Sequence, residues 1–320
     1  VTNLRDILPD FLFGFNAYLP QDVKYLISLA ARGMDPNPNP DLIIDYLGMR
    51  IDPDYEPLQQ ARRGEVISKP PFPTDTILSE GIEYAALAQS LMSAGNDFDV
   101  IELGAGWGPW VTRAAISARR LAKSRIVISA VEADHARFDA LRRHLALNEL
   151  VPLSAPNAGA AGELVWYLNK AIVWNDDKGA FWPEGGLGDA GRKAISPERN
   201  MPKDSALIQK ASRRQDSISL SNVIQNHKKV DLLHMDVQGT EMALISSALR
   251  DLNERVHHLF VGTHSRLIEG EILTLLLQEG WNLLREEPCL FRPRTGGVPL
   301  EELTIRDGGQ LWVNPRLVRK

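Results

Sequence analysis

Three observations predict an α/β fold whose sheet is mostly parallel and covered by helices on both faces. Short apolar runs at Asp99–Leu103, Arg125–Val131, Val230–Asp236 and Val256–Gly262 have the length and branched side chains of buried strands. Helical patterns alternate with them, and that alternation builds parallel sheets. The first run ends in the glycine-rich stretch Gly104-Ala-Gly-Trp-Gly108, which leads straight into a helix from about Trp110 to Ala122.

The 320 residues are enough for one large domain or two smaller ones, and 44% are hydrophobic, ample for a core. Lys and Arg total 36 against 41 Asp and Glu, a formal charge of -5. That balance speaks against an extended nucleic-acid surface. The single cysteine, Cys289, excludes an internal disulfide and any cysteine-based metal cluster. No signal peptide and no run of 18 apolar residues is found, so the expectation is a cytoplasmic protein without membrane contact. A homo-oligomer is left open.

Residues 1–79 form an N-terminal extension, expected to be mainly helical with irregular stretches. Aromatics in Leu8–Phe15 are expected to pack back onto the body, and a helix is predicted over Gln21–Ala31 behind Pro20. Alternating prolines from Met34 to Pro40 make a stiff connector. A short helix is predicted over Asp41–Met49, then a proline-rich irregular stretch from Asp52 to Pro73. Lys69-Pro-Pro-Phe72 resembles the Pro-Pro box of amino-methyltransferases, but lysine cannot accept the amine's hydrogen bond as Asn, Asp or Ser does there.

Residues 80–320 form the second unit. A helix beginning at Ser79 or Glu80 leads into the first strand. A helix over Asp134–Leu150 follows the second strand, with Arg137, Arg142 and Arg143 on its solvent side. After a small-residue loop, Pro152–Gly162, a strand is predicted over Glu163–Val173, then a turn from Asn175. Pro183–Asp216 is an irregular insertion, as fitted to a flap over a site as to a surface excursion. Helices are predicted over Ile218–Asn226, Thr240–Arg250 and Gly270–Glu279. Trp281–Leu284, Cys289–Arg292 and Gln310–Val313 supply a strand and a closing antiparallel pair.

The glycines permit a tight turn and close approach of a ligand to the backbone, beside the unpaired N–H groups of a helix start. Glu102, near the end of the first strand, is placed to face a cationic group, and Glu132, ending the second, to accept hydrogen bonds from a ribose. The distance from Gly104 to Glu132 and the lack of Gly-x-Gly-x-x-Gly favour S-adenosylmethionine over a nicotinamide. From their places on the sheet, Gly104, Ala105, Gly106 and Trp107 would line the amino-acid and ribose portions. Ala133 and Asp134 would sit at the adenine edge, and Asn169, Lys170 and Ala171 would close over the base.

The segments Val100-Ile-Glu-Leu-Gly-Ala-Gly-Trp-Gly108, Val131-Glu-Ala-Asp134 and Val230-Asp-Leu-Leu-His-Met-Asp-Val-Gln-Gly-Thr-Glu241 carry a resemblance to the FkbM-like branch of the class I S-adenosylmethionine-dependent methyltransferases. It extends over about residues 80–315 and implies a Rossmann-like methyltransferase sheet. Two departures stand out: relatives usually have lysine at the position of His234, and Asp-Val-Glu-Gly where this chain has Asp236-Val-Gln238-Gly239.

Methyl transfer from a sulfonium is an in-line displacement, so the protein chiefly supplies alignment, and a hydroxyl acceptor also gains from losing its proton. Asp236, at the strand rim, either caps the following turn or contacts the methionine amino group or the acceptor. His264, after a strand at the same rim, is the preferred general base. His234 shares the face of Asp236 by two-residue alternation and is a candidate for catalysis or for a structural hydrogen bond. Asp236, Glu241 and His264 include metal-ligand types, but their spacing does not demand a metal and none is expected. The reading is an O-methyltransferase acting on a small-molecule or sugar hydroxyl. The alternatives are an N- or protein methyltransferase and a non-catalytic cofactor-binding partner protein.

Overall fold

Helix α1, Pro20–Ala30, starts on proline, which costs little at a position whose N–H has no helical partner. The computed structural model describes residues 17–31, 39–77, 79–152, 163–174, 180–183, 212–293 and 303–317. The expectations for 8–15, 34–38, 153–162, 175–179 and most of the 183–216 insertion lie outside them.

The helix predicted over Asp41–Met49 is instead a pair of antiparallel strands, β1 (Ile43–Ile44) and β2 (Arg50–Ile51). Asp45 is the cause. Its carboxylate accepts from the N–H groups of Leu47 and Met49 at 2.9 and 2.8 Å, and Gly48 turns the chain at φ 73°. These local bonds compete with the helical ladder. Two 3-10 turns, Pro53–Tyr55 and Pro57–Arg62, occupy the proline-rich stretch.

Helix α2 (Gly81–Ser93) precedes β3 (Asp97–Leu103), α3 (Pro109–Arg120), β4 (Arg125–Val131), α4 (His135–Leu147) and β5 (Glu163–Asn169). The predicted strand over Glu163–Val173 breaks after Asn169. Its second part, β6 (Ile172–Trp174), leaves the sheet and, beyond β7 (Ala180–Pro183) and β8 (Ser212–Gln215), pairs with β9 (Ser217–Ser219). Strands β7 and β8 pair with each other.

Then come α5 (Leu220–Gln225), β10 (Val230–Met235), α6 (Glu241–Ser247), α7 (Leu249–Arg255), β11 (Val256–Thr263) and α8 (Arg266–Gln278). The single helix predicted over Thr240–Arg250 is divided at Ala248. The Ser247 hydroxyl donates to the Leu244 carbonyl just there, a bond that competes with helix continuation. Helix α8 begins four residues before the predicted Gly270 because the Ser265 hydroxyl caps it, accepting from the Ile268 N–H at 3.2 Å.

The last strands are β12 (Asn282–Glu287), β13 (Leu290–Phe291), β14 (Thr304–Arg306) and β15 (Gly308–Val313). The main sheet has seven strands in the order β12-β15-β11-β10-β3-β4-β5. All neighbours are parallel except β15, which runs antiparallel to β11 and β12. The predicted closing pair is therefore β12 with β15. The Cys289–Arg292 run is outside the main sheet, with β13 on β14; Pro288, lacking an N–H, stands between β12 and β13.

Strand β3 pairs with β4 on one side and β10 on the other, so the chain reverses its direction of travel across the sheet at β3. The crevice beyond the strand ends at such a switch point is where open α/β sheets bind ligands. No helix among the described residues is long and apolar enough to cross a membrane.

The described extension shares its core with the sheet domain: Val23, Leu26 and Leu29 of α1 join Ala85, Leu87 and Phe98 in one cluster. An ion triad adds to this packing. Fully buried Arg113 of α3 donates to Asp45 at 2.9 Å, to Asp75 at 2.8 Å and to the Ser79 hydroxyl at 2.8 Å. A second buried network crosses the opposite region of the sheet. Ser129 Oγ lies 2.7 Å from His227 Nε2, and His227 Nδ1 lies 2.9 Å from Asp99. These are the residue types of a hydrolytic triad, but Ser129 is fully buried, and the trio ties β3 and β4 to the end of α5.

Replacing Arg113 with Met would strand two buried carboxylates beside an apolar side chain. The expected cost is about 3–5 kcal/mol of unfolding free energy, read from urea denaturation; a loss under about 1 kcal/mol would show that the triad does not hold the extension.

Candidate functional site

Gly104 turns with φ 71° at the end of β3, and a Cβ there would lie 1.9 Å from the Asp236 carbonyl oxygen. Only glycine fits that approach of two backbones. The Asp236 N–H donates to the Leu103 carbonyl at 3.0 Å, so the ends of β3 and β10 are joined directly. Gly108 has φ 73° and precedes Pro109, the first residue of α3.

A cavity of about 360 Å³ opens over this junction. Of the residues expected to meet a cofactor, Glu102, Gly104, Ala105, Gly106, Trp107, Glu132, Ala133, Ala171 and Asp236 line it. Asp134, Asn169 and Lys170 are not among the lining residues. Asp134 is occupied as the cap of α4, accepting from the Arg137 N–H at 2.9 Å. Asn169 ends its strand with its carbonyl accepting the Glu132 N–H, and Lys170 is exposed. Ile172 and Val173, which the sequence did not single out, join Ala171, Ala133 and Val131 in an apolar wall.

Glu132 is buried, and among the described residues no cation is hydrogen-bonded to it. One oxygen accepts the Gly106 N–H at 2.7 Å and the other the Asp134 N–H at 2.6 Å. Burial pushes its carboxyl up to about 7 despite those bonds. A carboxylate offers about four acceptor sites, so capacity is left for a pair of hydroxyls. Glu102 is held at the start of α3, accepting the N–H groups of Trp110 and Val111 at 3.3 and 2.8 Å. Burial also raises its carboxyl to about 7, opposed by His234 and these amides.

His264 is not free to act as the general base expected of it. Its Nε2 lies 3.2 Å from Asp236, and its Nδ1 lies 2.8 Å from Glu241, which is fully buried. Burial alone would lower its pKa, but the two carboxylates outweigh it and raise the value to about 10. The two carboxylates favour the charged form of the ring. Asp236 responds in kind: its carboxyl is lowered, because His264, His234 and Gln238 together overcome desolvation. Asp236, Glu241 and His264 lie close enough to hold a metal ion. Each ring nitrogen lies near a different carboxylate, at 3.2 and 2.8 Å.

His234 also lines the cavity, 3% exposed, in register with Glu102 on β3. Its ring lies between Trp110 and Phe260, 25° and 22° from their planes. Its Nε2 is 3.0 Å from Glu83, which also accepts the Trp110 indole N–H at 2.9 Å. Sequence reasoning missed Glu83. The only local signal was its place at the third position of α2, where it accepts the Glu80 N–H at 2.8 Å as a cap. Glu56 and Ser79 bring the extension to the same cavity, and Asp307 closes it from the loop before β15.

Residues 95–280 match the methyltransferase FkbM domain family. A protein of Jannaschia sp. (strain CCS1) named as a methyltransferase is 27% identical over 258 residues, 79% of this chain and 86% of that protein. Among solved structures, the methyltransferase FkbM from Methylobacillus flagellatus KT aligns with a TM-score of 0.39 at 12% identity, over 73% of this chain and 54% of its own length. The precorrin-6y C5,15-methyltransferase from Geobacter metallireducens GS-15 aligns with a TM-score of 0.39 at 10% identity, over 74% and 89%. At those values neither structural likeness bears on function.

Two outcomes are expected from the His264 arrangement. A histidine whose folded pKa is raised from 6.5 to about 10 contributes stability that is complete below pH 6.5 and lost as pH rises through 10. The stability advantage of the wild type over His264→Gln, read from urea midpoints, should therefore be largest near pH 6 and fade by pH 10. Treatment with a chelator should leave methyl transfer unchanged; full loss restored by magnesium would make the trio a metal site.

Proposed function

Because this chain belongs to the FkbM methyltransferase family, we propose that it transfers the methyl group of S-adenosylmethionine to a hydroxyl of a small molecule or sugar. The observation that carries the donor half is Glu132, a buried carboxylate fixed by two backbone amides at the cavity wall, with acceptor capacity to spare for a ribose diol. Gly104, Ala105 and Gly106 present backbone beside it, and Val131, Ala133, Ala171, Ile172 and Val173 make an apolar wall suited to adenine. Bound there, the donor supplies an electrophilic methyl group already activated by its sulfonium.

The acceptor half is the part of the cavity lined by Ser79, Glu83, Trp110, His234, Asp236 and Asp307. Its hydrogen-bond acceptors suit hydroxyl donors, and its volume suits a small acceptor. The same carboxylates would also hold an ammonium, and this favours an amine acceptor as the second reading. The protein's work in either case is alignment of the nucleophile behind the methyl carbon.

Calorimetric titration with S-adenosylhomocysteine, S-adenosylmethionine and NAD tests the donor site: micromolar binding of the sulfur compounds and none of NAD is expected. Glu132→Ala should weaken S-adenosylhomocysteine by about 10-fold or more, the loss of charge-assisted hydrogen bonds to the ribose. Isotopic methyl transfer to a panel of hydroxylated acceptors, followed by NMR of the product, should place the methyl group on oxygen. A methyl group on nitrogen would select the second reading.

A further inference from the structure

His234 has one ring nitrogen paired and one without a partner among the described residues. Nε2 is paired with Glu83 at 3.0 Å, while Nδ1 is buried and has no hydrogen-bond partner among the described residues, in a ring that lines the cavity. Leaving a buried polar atom without a partner is costly unless something else meets it. Stacking between Trp110 and Phe260 fixes the plane of the ring, so Nδ1 cannot swing to another protein group without losing both contacts. Glu83 is held in turn by the Trp110 indole and the Glu80 amide. A carboxylate on one nitrogen keeps the proton there and leaves the lone pair on the other, the orientation a general base requires.

We propose that His234, oriented by Glu83, is the catalytic residue that receives the acceptor's proton through Nδ1. This rests on the methyl-transfer reading above. As the acceptor oxygen bonds to the methyl carbon, the carbon–sulfur bond breaks with its electron pair going to sulfur. The hydroxyl proton passes to Nδ1 and then to solvent. Glu83 is a positioning residue. The charged groups facing His234 are Glu83 from α2, Glu102 from β3 and Asp236 beyond its own strand, with Arg113 of α3 behind Trp110; β11 contributes the uncharged Phe260. His264 is less suited to the role, with Asp236 3.2 Å from its Nε2 and Glu241 2.8 Å from its Nδ1.

The primary test is nitrogen NMR of the wild-type protein labelled at histidine and saturated with S-adenosylhomocysteine, with the His234 signals assigned by their loss in His234→Gln. The expected result is a bare Nδ1 and a protonated Nε2 at pH 7.5. A protonated Nδ1 would overturn the proposal. Kinetics on a hydroxylated acceptor from the panel supply the second test. His234→Gln should lower kcat by about 100-fold or more, the scale of a general base, with S-adenosylhomocysteine affinity changed less than about threefold. Glu83→Gln should lower kcat by about 10-fold and move the acid limb of the pH profile to lower pH, because a charge favouring the imidazolium is gone. Glu83→Asp should restore part of both. A His234→Gln enzyme with near-normal kcat and an unchanged pH profile would also overturn the proposal. Failure of the wild type to bind S-adenosylhomocysteine, or methylation of nitrogen alone, would instead defeat the underlying reading of function.

Discussion

The cavity exists because two backbones meet almost atom on atom. The turn after β3 lies against the Asp236 carbonyl, at a separation that a single Cβ at position 104 would close to 1.9 Å. This contact fixes how far the ends of β3 and β10 can part. It also sets the neighbours of both strands' last residues: His234 lies opposite Glu102, and Met235 opposite Leu103. The glycine turn thus does more than admit a ligand. It holds the strand carrying His234 and Asp236 against the strand carrying Glu102, and the polar groups of the rim inherit their spacing from that.

Two histidines at this rim show how partner number decides chemistry. His264 has a carboxylate near each nitrogen, and their charges favour its protonated form. His234 has one carboxylate, two flanking rings and a buried nitrogen with no partner among the described residues. The first has its charged form favoured beside Asp236; the second is the proton acceptor of the proposal above. Glu132 and Glu102 are set apart from both. They are held by backbone amides rather than by cations, and low-dielectric burial leaves them with carboxyl groups near 7. Carboxylates of that kind are suited to accepting bonds from a neutral or cationic ligand.

Most of the frame was legible because it is written locally. The apolar runs at Arg125–Val131 and Val230–Asp236 became strands with the predicted starts, and the glycine turn with Glu132 falls at the cavity. Errors of element arose where one residue within or beside the pattern redirected the backbone. Asp45 converted a helical pattern into a paired turn, and Pro288 ended a strand so that its continuation paired elsewhere. The charge of His264 could not be read, since it depends on Asp236 and Glu241 meeting the ring together. Glu83 was invisible for a similar reason: its partner His234 is 151 residues away. Residue type and strand ends marked candidates; only contact across the fold assigned them roles.

The Asp45–Arg113–Asp75 clamp bears on the order in which the protein is made. Synthesis proceeds from the N-terminus, so both acids emerge well before the arginine that neutralises them. Until α3 is complete, those carboxylates belong in water, because closing them into an apolar setting without a cation is strongly unfavourable. The stretch carrying Asp45 and Asp75, though made before α3, therefore settles only once Arg113 is in place. For the same reason, a version trimmed to the sheet domain would place an unpaired guanidinium in the middle of its own core.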